Sequence, residues 1–308
     1  MLKKDDIVDV VSAATPCEFA QIAKIKNFLS ENDLEPQIFL EKETAVKTLS
    51  NHEFAVIDAK IRFQQLQKAI NSNSKIIWCS RGGYGGAEIL PFLRKMPKPE
   101  IEKIFIGFSD IDSINLFLRQ NWNWQTISAP MLLQMAENKV SKKSQKAILD
   151  LIFGKTKELK YKLKLLNSPN IVTAHLLQGN ITGGCISVIA GNFATKNQIN
   201  WQDKILFLED EGEDGERLDR HFYQIVSIIK EGKKKPKAIL LGNFLQSNPH
   251  GTPKANNILI AIEKLVRNLP EIAIYQEVSG CLGHSSEMLP LIFNKNCEIK
   301  NNILTQKI

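Results

Sequence analysis

The chain has 308 residues, enough for one large domain or two of ordinary size, and its 43% hydrophobic and 24% charged residues are those of a globular protein. A net charge of +7 raises the question of nucleic acid, but the lysines are spread along the chain. The one dense run, Lys233-Lys234-Lys235-Pro236-Lys237, joins a helix end to an apolar strand without interleaved aromatics, so no nucleic-acid partner is expected.

No apolar run reaches the ~18 residues of a membrane span. The charged start Lys3-Lys4-Asp5-Asp6 is followed by only a short apolar segment, Ile7 to Ala14, too short for a signal-peptide core. The expectation is a cytoplasmic protein with no membrane association. Cys17, Cys79, Cys185, Cys281 and Cys297 are scattered, with no Cys-x-x-Cys pair, which suggests a reducing compartment and neither a disulfide frame nor a zinc site. Cys79, at a strand end, is the one thiol whose position raises the question of reactivity.

In chain order, Ile7–Val11 reads as a strand and Pro16 opens a helix running to about Leu29. A helical stretch from Ile61 to Ile70 precedes the strand Lys75–Cys79 and a glycine-rich loop, Arg81-Gly82-Gly83-Tyr84-Gly85-Gly86. The short helix Ala87–Leu90, a strand ending at Ser109, a helix after it, the strand Gln125–Ser128 and the helix Lys142–Phe153 follow. This βα alternation predicts a mostly parallel sheet flanked by helices. Lys157–Leu166 alternates as an exposed strand or hairpin arm would, and the Pro/Asn/Gly-marked Asn167–Gly184 reads as the crossing into a second domain. That domain contains the strand Lys204–Glu209, an acidic loop, and a helix with Leu218, Phe222, Ile225 and Ile229 on one face. The strand Ala238–Leu241, the helix Asn256–Arg267 and the strand Glu271–Tyr275 complete it. The expected fold class is α/β: an N-terminal domain over 1–165, and a smaller C-terminal α/β domain with a β-rich core over 166–308.

In Ile104-Phe105-Ile106-Gly107-Phe108-Ser109-Asp110 an apolar strand runs into Gly-Phe-Ser and then directly into a helix. A serine at such a turn has an exposed hydroxyl near backbone N–H groups, where acyl-transfer enzymes place a nucleophile. It needs a base. His52 lies in a polar connection, His175 in the presumed crossing, His221 in an amphipathic helix and His250 in a turn. His284 lies in Gly280-Cys281-Leu282-Gly283-His284-Ser285-Ser286, a small-residue loop that permits close approach.

Strand alternation puts Ile205, Phe207 and Glu209 on one face, so Glu209 emerges at the strand's C-terminal end, where α/β folds mount catalytic groups. Asp210, Glu211 and Glu213 follow it, and the same stretch also reads as a solvated acidic loop or a divalent-metal cluster. Zinc is disfavoured because no two histidines share the short spacing of a zinc site. The 81–86 glycine loop supplies backbone for an oxyanion site, and the N–H of Asp110 is a natural second donor. A nucleotide phosphate loop fits poorly: Gly83-Tyr84-Gly85-Gly86-Ala87-Glu88 lacks the last glycine of G-x-G-x-x-G, and no Walker motif is present.

Taken together, the chain resembles the murein tetrapeptide LD-carboxypeptidase family of serine peptidases, whose relatives include the microcin C self-immunity peptidases. The resemblance rests on Ser12-Ala13-Ala14-Thr15-Pro16, Ser80-Arg81-Gly82-Gly83-Tyr84-Gly85, Ile106-Gly107-Phe108-Ser109-Asp110, Ala129-Pro130-Met131, the stretch Gly179 to Ala194, Ile205-Leu206-Phe207-Leu208-Glu209-Asp210, Leu218-Asp219-Arg220, Gly283-His284 and Leu289-Pro290-Leu291, in this order. It implies a catalytic Ser109–Glu209–His284 triad, an oxyanion site at the N–H groups of Gly83 and Asp110, and no metal or organic cofactor. It also implies an active site between two domains and a homodimer.

The activity implied is release of the terminal D-alanine from a muropeptide tetrapeptide in cell-wall recycling. Cleavage of a peptidyl-nucleotide amide, as by a microcin C-type immunity peptidase, is an alternative within the family. A non-catalytic muropeptide-binding sensor is the alternative outside enzymes. The substrate's free carboxylate suits an arginine fork, and Arg81, Tyr84 and Arg220 are the candidate substrate contacts. The chain departs from the family where relatives often carry a basic residue near position 88, here Glu88, and at Gly191-Asn192-Phe193-Ala194-Thr195, which replaces a common Gly-Thr pattern. Both departures bear on substrate details and leave the triad intact.

Overall fold

Strand β1 (Asp6–Val11) buries its last four residues. A strand without a solvent face needs cover on both sides, which helices on the two faces of a parallel sheet provide. In a computed structural model describing residues 1–39, 57–167, 176–232, 234–245 and 255–308, the chain divides into two units, Met1–Thr156 and Lys157–Ile308. In the first unit, β2 (Leu34–Ile38), β3 (Ile76–Cys79, all four residues buried), β4 (Ile104–Ile106) and β5 (Thr126–Ser128) join β1 in a parallel array ordered β5-β4-β3-β1-β2.

Among the described residues, the helices of this unit are α1 (Phe19–Glu31), α2 (Ala59–Ile70), α3 (Leu90–Leu93), α4 (Asp112–Phe117), α5 (Leu132–Ala136) and α6 (Lys142–Ile152). Helix α1 turns Ile22, Ile25, Phe28 and Leu29 inward, with Ile25 three residues after Ile22 and three and four before Phe28 and Leu29, one apolar stripe of an amphipathic helix. Ser141 caps α6 by accepting the Ser144 N–H at 3.2 Å.

The second unit is built on β6 (Glu158–Leu165), β7 (Leu176–Cys185), β8 (Ile205–Glu211), β9 (Ala238–Leu245), β10 (Ala273–Glu277), β11 (Leu291–Phe293), β12 (Asn296–Lys300) and β13 (Ile303–Lys307). Seven of these close a barrel in the order β10-β6-β13-β12-β7-β8-β9. The β7–β8, β8–β9 and β9–β10 pairs are parallel and the others antiparallel. Closure leaves no exposed sheet edge. The antiparallel strands alternate as one-sided strands must: Leu159, Tyr161 and Leu163 of β6 are buried between exposed lysines.

Among the described residues this unit also has the helices α7 (Ile186–Gly191), α8 (Gly215–Glu231) and α9 (Ala255–Asn268). Helix α8 buries Leu218, Phe222, Ile225 and Ile229, the face read from its periodicity. No described helix is long and apolar enough to cross a membrane.

The division falls earlier than the expected 165/166, because β6 pairs with β10 and β13 and so belongs to the barrel. The presumed crossing at Asn167–Gly184 is likewise no linker over its second half, which is β7. Its residues 168–175 lie outside the described residues. The second unit is only slightly shorter than the first.

Candidate active site

The loops that follow β1, β3 and β4 leave the C-terminal ends of neighbouring parallel strands, the place where α/β sheets carry their sites. After β4, Phe108 is extended and half-buried Ser109 takes φ +63°, before a 3₁₀ turn over Ser109–Ile111 leads into α4. A left-handed non-glycine residue costs roughly 1–2 kcal/mol, so the surroundings must hold it. Asn115 does part of this: its Nδ2 donates to Gly107 O at 2.8 Å and to Asp112 Oδ1 at 2.9 Å. Strain of this kind concentrates at functional positions.

The glycine loop after β3 lies against this turn. A Cβ placed on Gly82 would stand 3.4 Å from Ser109 Oγ, so main chain approaches the hydroxyl where a side chain would crowd it. Gly83 has φ +111°, and a Cβ there would fall 2.3 Å from Thr15 Oγ1. The Tyr84 N–H donates to Thr15 Oγ1 at 3.0 Å, and the Gly86 N–H donates to Asp110 Oδ2 at 2.6 Å. Burial pushes the Asp110 carboxyl pKa up, against the Gly86 hydrogen bond and Arg62, which lower it. The two expected oxyanion residues, Gly83 and Asp110, thus belong to loops joined by a hydrogen bond.

In the second unit, Glu209 (1% exposed) and His284 (8% exposed) meet. His284 Nδ1 is 2.6 Å from Glu209 Oε2, and the same oxygen accepts the His284 backbone N–H at 2.9 Å. Gly283, at φ +91°, makes this approach possible, since a Cβ there would lie 2.6 Å from Glu209 Oε2. Glu209 Oε1 is buried with no hydrogen-bond partner among the described residues.

Asn243 braces the loop, donating to Gly280 O at 3.0 Å and to His284 O at 3.1 Å. Asp210, on the other face of β8, accepts the Ser187 N–H at 2.8 Å. Glu211 reaches within 3.7 Å of His284 Nε2. Burial alone would lower the His284 pKa. Glu209, with Glu211 and Asp210 behind it, overrides that and raises it to about 9. With Nδ1–H committed to Glu209, Nε2 is the nitrogen left to exchange a proton with a substrate or nucleophile.

The other sequence candidates are placed as follows. Arg81 is half-buried at the start of the glycine loop, Tyr84 is 50% exposed, and Arg220 is exposed on α8. His221 lies 4.0 Å from Glu213, while His52, His175 and His250 lie outside the described residues. Cys79 is fully buried and burial raises its pKa, so it is not a reactive thiol. Among the described residues no group of three or more His, Cys, Asp or Glu is placed to hold a metal ion. No sequence signal marks Arg62 or Asn243; Thr15 stands in the segment after the first strand and Glu211 in the acidic stretch after Glu209, where the sequence assigns neither a role of its own.

Residues 8–129 match the LD-carboxypeptidase N-terminal domain, and residues 178–299 match the LD-carboxypeptidase C-terminal domain. The chain belongs to the LD-carboxypeptidase family. A Rickettsia prowazekii protein, RP402, provisionally named a carboxypeptidase, is 29% identical over 294 residues, 95% of this chain and 86% of its own. A Bacillus subtilis protein provisionally named a murein peptide carboxypeptidase is 27% identical over 231 residues, 73% of this chain and 68% of its own.

Two crystal structures share the fold. One is a muramoyltetrapeptide carboxypeptidase from Oxalobacter formigenes, with TM-score 0.78 and 18% identity over 98% of this chain and 99% of that one. The other is an MccF-like protein from Bacillus anthracis, with TM-score 0.77 and 19% identity over 99% and 98%. Both LD-carboxypeptidase domains are therefore present. The family match places Ser109 in the N-terminal one and Glu209 and His284 in the C-terminal one.

Proposed function

We propose that this LD-carboxypeptidase family member is a serine peptidase that releases the terminal D-alanine from a muropeptide tetrapeptide, cutting after the L-centre of the diamino acid. It acts as a cytoplasmic homodimer in cell-wall recycling. The observation that carries the reading is the buried Glu209–His284 pair, whose carboxylate holds both the ring Nδ1 and the backbone N–H of the same histidine. A binding module has no need of so constrained an imidazole, which argues against a non-catalytic sensor.

In the reaction, Ser109 Oγ attacks the carbonyl carbon of the scissile amide while His284 Nε2 takes its proton. Glu209 stabilises the imidazolium. The N–H groups of Gly83 and Asp110 receive the developing oxyanion. His284 then protonates the leaving amine, D-alanine departs, and the acyl group remains as an ester on Ser109. Water attacks that ester with His284 again as base, which frees the shortened peptide and restores the serine. Arg81, Tyr84 and Arg220 are the proposed substrate contacts, an arginine fork receiving the terminal carboxylate.

The test is direct competition between the two substrate classes. Purified protein is given a muropeptide tetrapeptide and, separately, a peptidyl-nucleotide amide. Release of D-alanine from the first, at a kcat/KM well above that for the second, is expected. Preferential cleavage of the nucleotide conjugate would assign the immunity-peptidase activity instead.

A further inference from the structure

Arg62 sits in α2, among residues that read as an ordinary polar helix face, yet it is 0% exposed. Its guanidinium joins three separate segments. Nε donates to Ile57 O at 2.9 Å, and Nη1 donates to Ala13 O at 2.9 Å and to Gly85 O at 2.7 Å. Nη2 pairs with Glu88, whose side chain is 43% exposed. A buried charge is tolerated only when its donors are met in this way, and three of these four partners are main-chain carbonyls of loops.

Two of those segments also grip each other at the serine turn. Thr15, two residues beyond Ala13, accepts the Tyr84 N–H, while Asp110, next to Ser109, accepts the Gly86 N–H. The Tyr84 N–H is thereby held by Thr15, and the single Gly85–Gly86 peptide group is held at its carbonyl by Arg62 and at its N–H by Asp110. The chain just before them, at Gly82, passes against Ser109 Oγ.

We propose that Arg62 is a positioning residue for acyl transfer at Ser109, with Glu88 as its counter-ion: by holding the Gly85 carbonyl and the Ala13 loop together, it fixes the glycine-loop backbone at its distance from the serine. This rests on the reading of Ser109 as nucleophile and adds a residue that touches neither substrate nor reacting atoms. Glu88 then has a task in this chain. It neutralises the buried Arg62 guanidinium from the solvent side.

The test uses Arg62→Lys, which keeps the charge but loses the fork, and Glu88→Gln, an isosteric change at a side chain that is 43% exposed, which leaves the packing intact. Each is assayed for D-alanine release and for amide hydrogen exchange. For Arg62→Lys, kcat is expected to fall about 10–100-fold with KM within about threefold, because a displaced oxyanion loop affects the transition state more than binding. Amides at Gly82–Gly86 should exchange faster while those of β1 and β3 keep their protection. Glu88→Gln should give a smaller fall in kcat in the same direction.

Unchanged kcat in both variants, or faster exchange spread evenly over the first unit, would overturn the proposal and leave Arg62 a general stabiliser. Should the wild type release no D-alanine, the substrate reading fails separately, and the exchange pattern still decides: acceleration confined to Gly82–Gly86 supports Arg62 as the loop's clamp, and unchanged exchange refutes it.

Discussion

At Ser109 the backbone is held in a conformation that glycine adopts without strain. Ser109→Gly and Ser109→Ala should both lose activity, but the glycine variant should be the more stable of the two by about 1 kcal/mol in denaturant unfolding. His284 must be neutral to act as base, and its pKa is raised to about 9. The acid limb of kcat/KM against pH should therefore lie above the ordinary imidazole value of about 6.5, toward 9. Glu211→Gln removes one of the charges that hold the proton and should move that limb to lower pH; an unmoved limb would show that Glu211 does not act on the ring.

The same shift has a sign for stability. The folded pKa lies above the unfolded one, so the stabilisation is fully present below about pH 6.5 and is lost as pH rises through about 9, as urea midpoints across that window would show. The turn at Ser109 and the meeting of Glu209 with His284 were legible because each residue sits at a strand end or between small residues. Arg62 was not, because residue type alone does not tell a buried guanidinium from a solvated one.

Among the elements, β8 and β9 carry a feature no periodicity reveals. Leu208 is paired with Leu241 but Asp210 with Phe244, so two residues of β9 face the single Glu209. A bulge of this kind re-aims a side chain, and here it presents Asn243 to the loop carbonyls of Gly280 and His284. Asn243→Ala should cost roughly 1–3 kcal/mol by leaving these carbonyls without their donor, and kcat should fall as the His284 loop loosens; calorimetry and steady-state kinetics would read the two effects. The βα alternation of the first unit was readable from its apolar strands and punctuating glycines. The strands β11, β12 and β13 were not, being short and, in the last case, turning a polar Gln306 inward. That residue is buried because it bonds both the N–H and the carbonyl of Ile292, at 3.0 and 2.7 Å.

For the whole molecule, both family domains match in chain order, with Ser109 within one and Glu209 and His284 within the other. The sequence pattern announced two α/β units but not barrel closure, since closure depends on pairings such as β6 with β13 that join opposite ends of the second unit. Removing Glu209 as the orienting acid, by Glu209→Gln, should lower kcat by about 10³–10⁴-fold while the protein stays folded. The central claim is that Ser109 is the nucleophile of a D-alanine-releasing peptidase. It is tested most directly by mass spectrometry of a muropeptide tetrapeptide incubated with wild type and with Ser109→Ala. The account predicts a peptide shortened by one D-alanine with wild type and intact tetrapeptide with the variant; equal shortening by both proteins would contradict it.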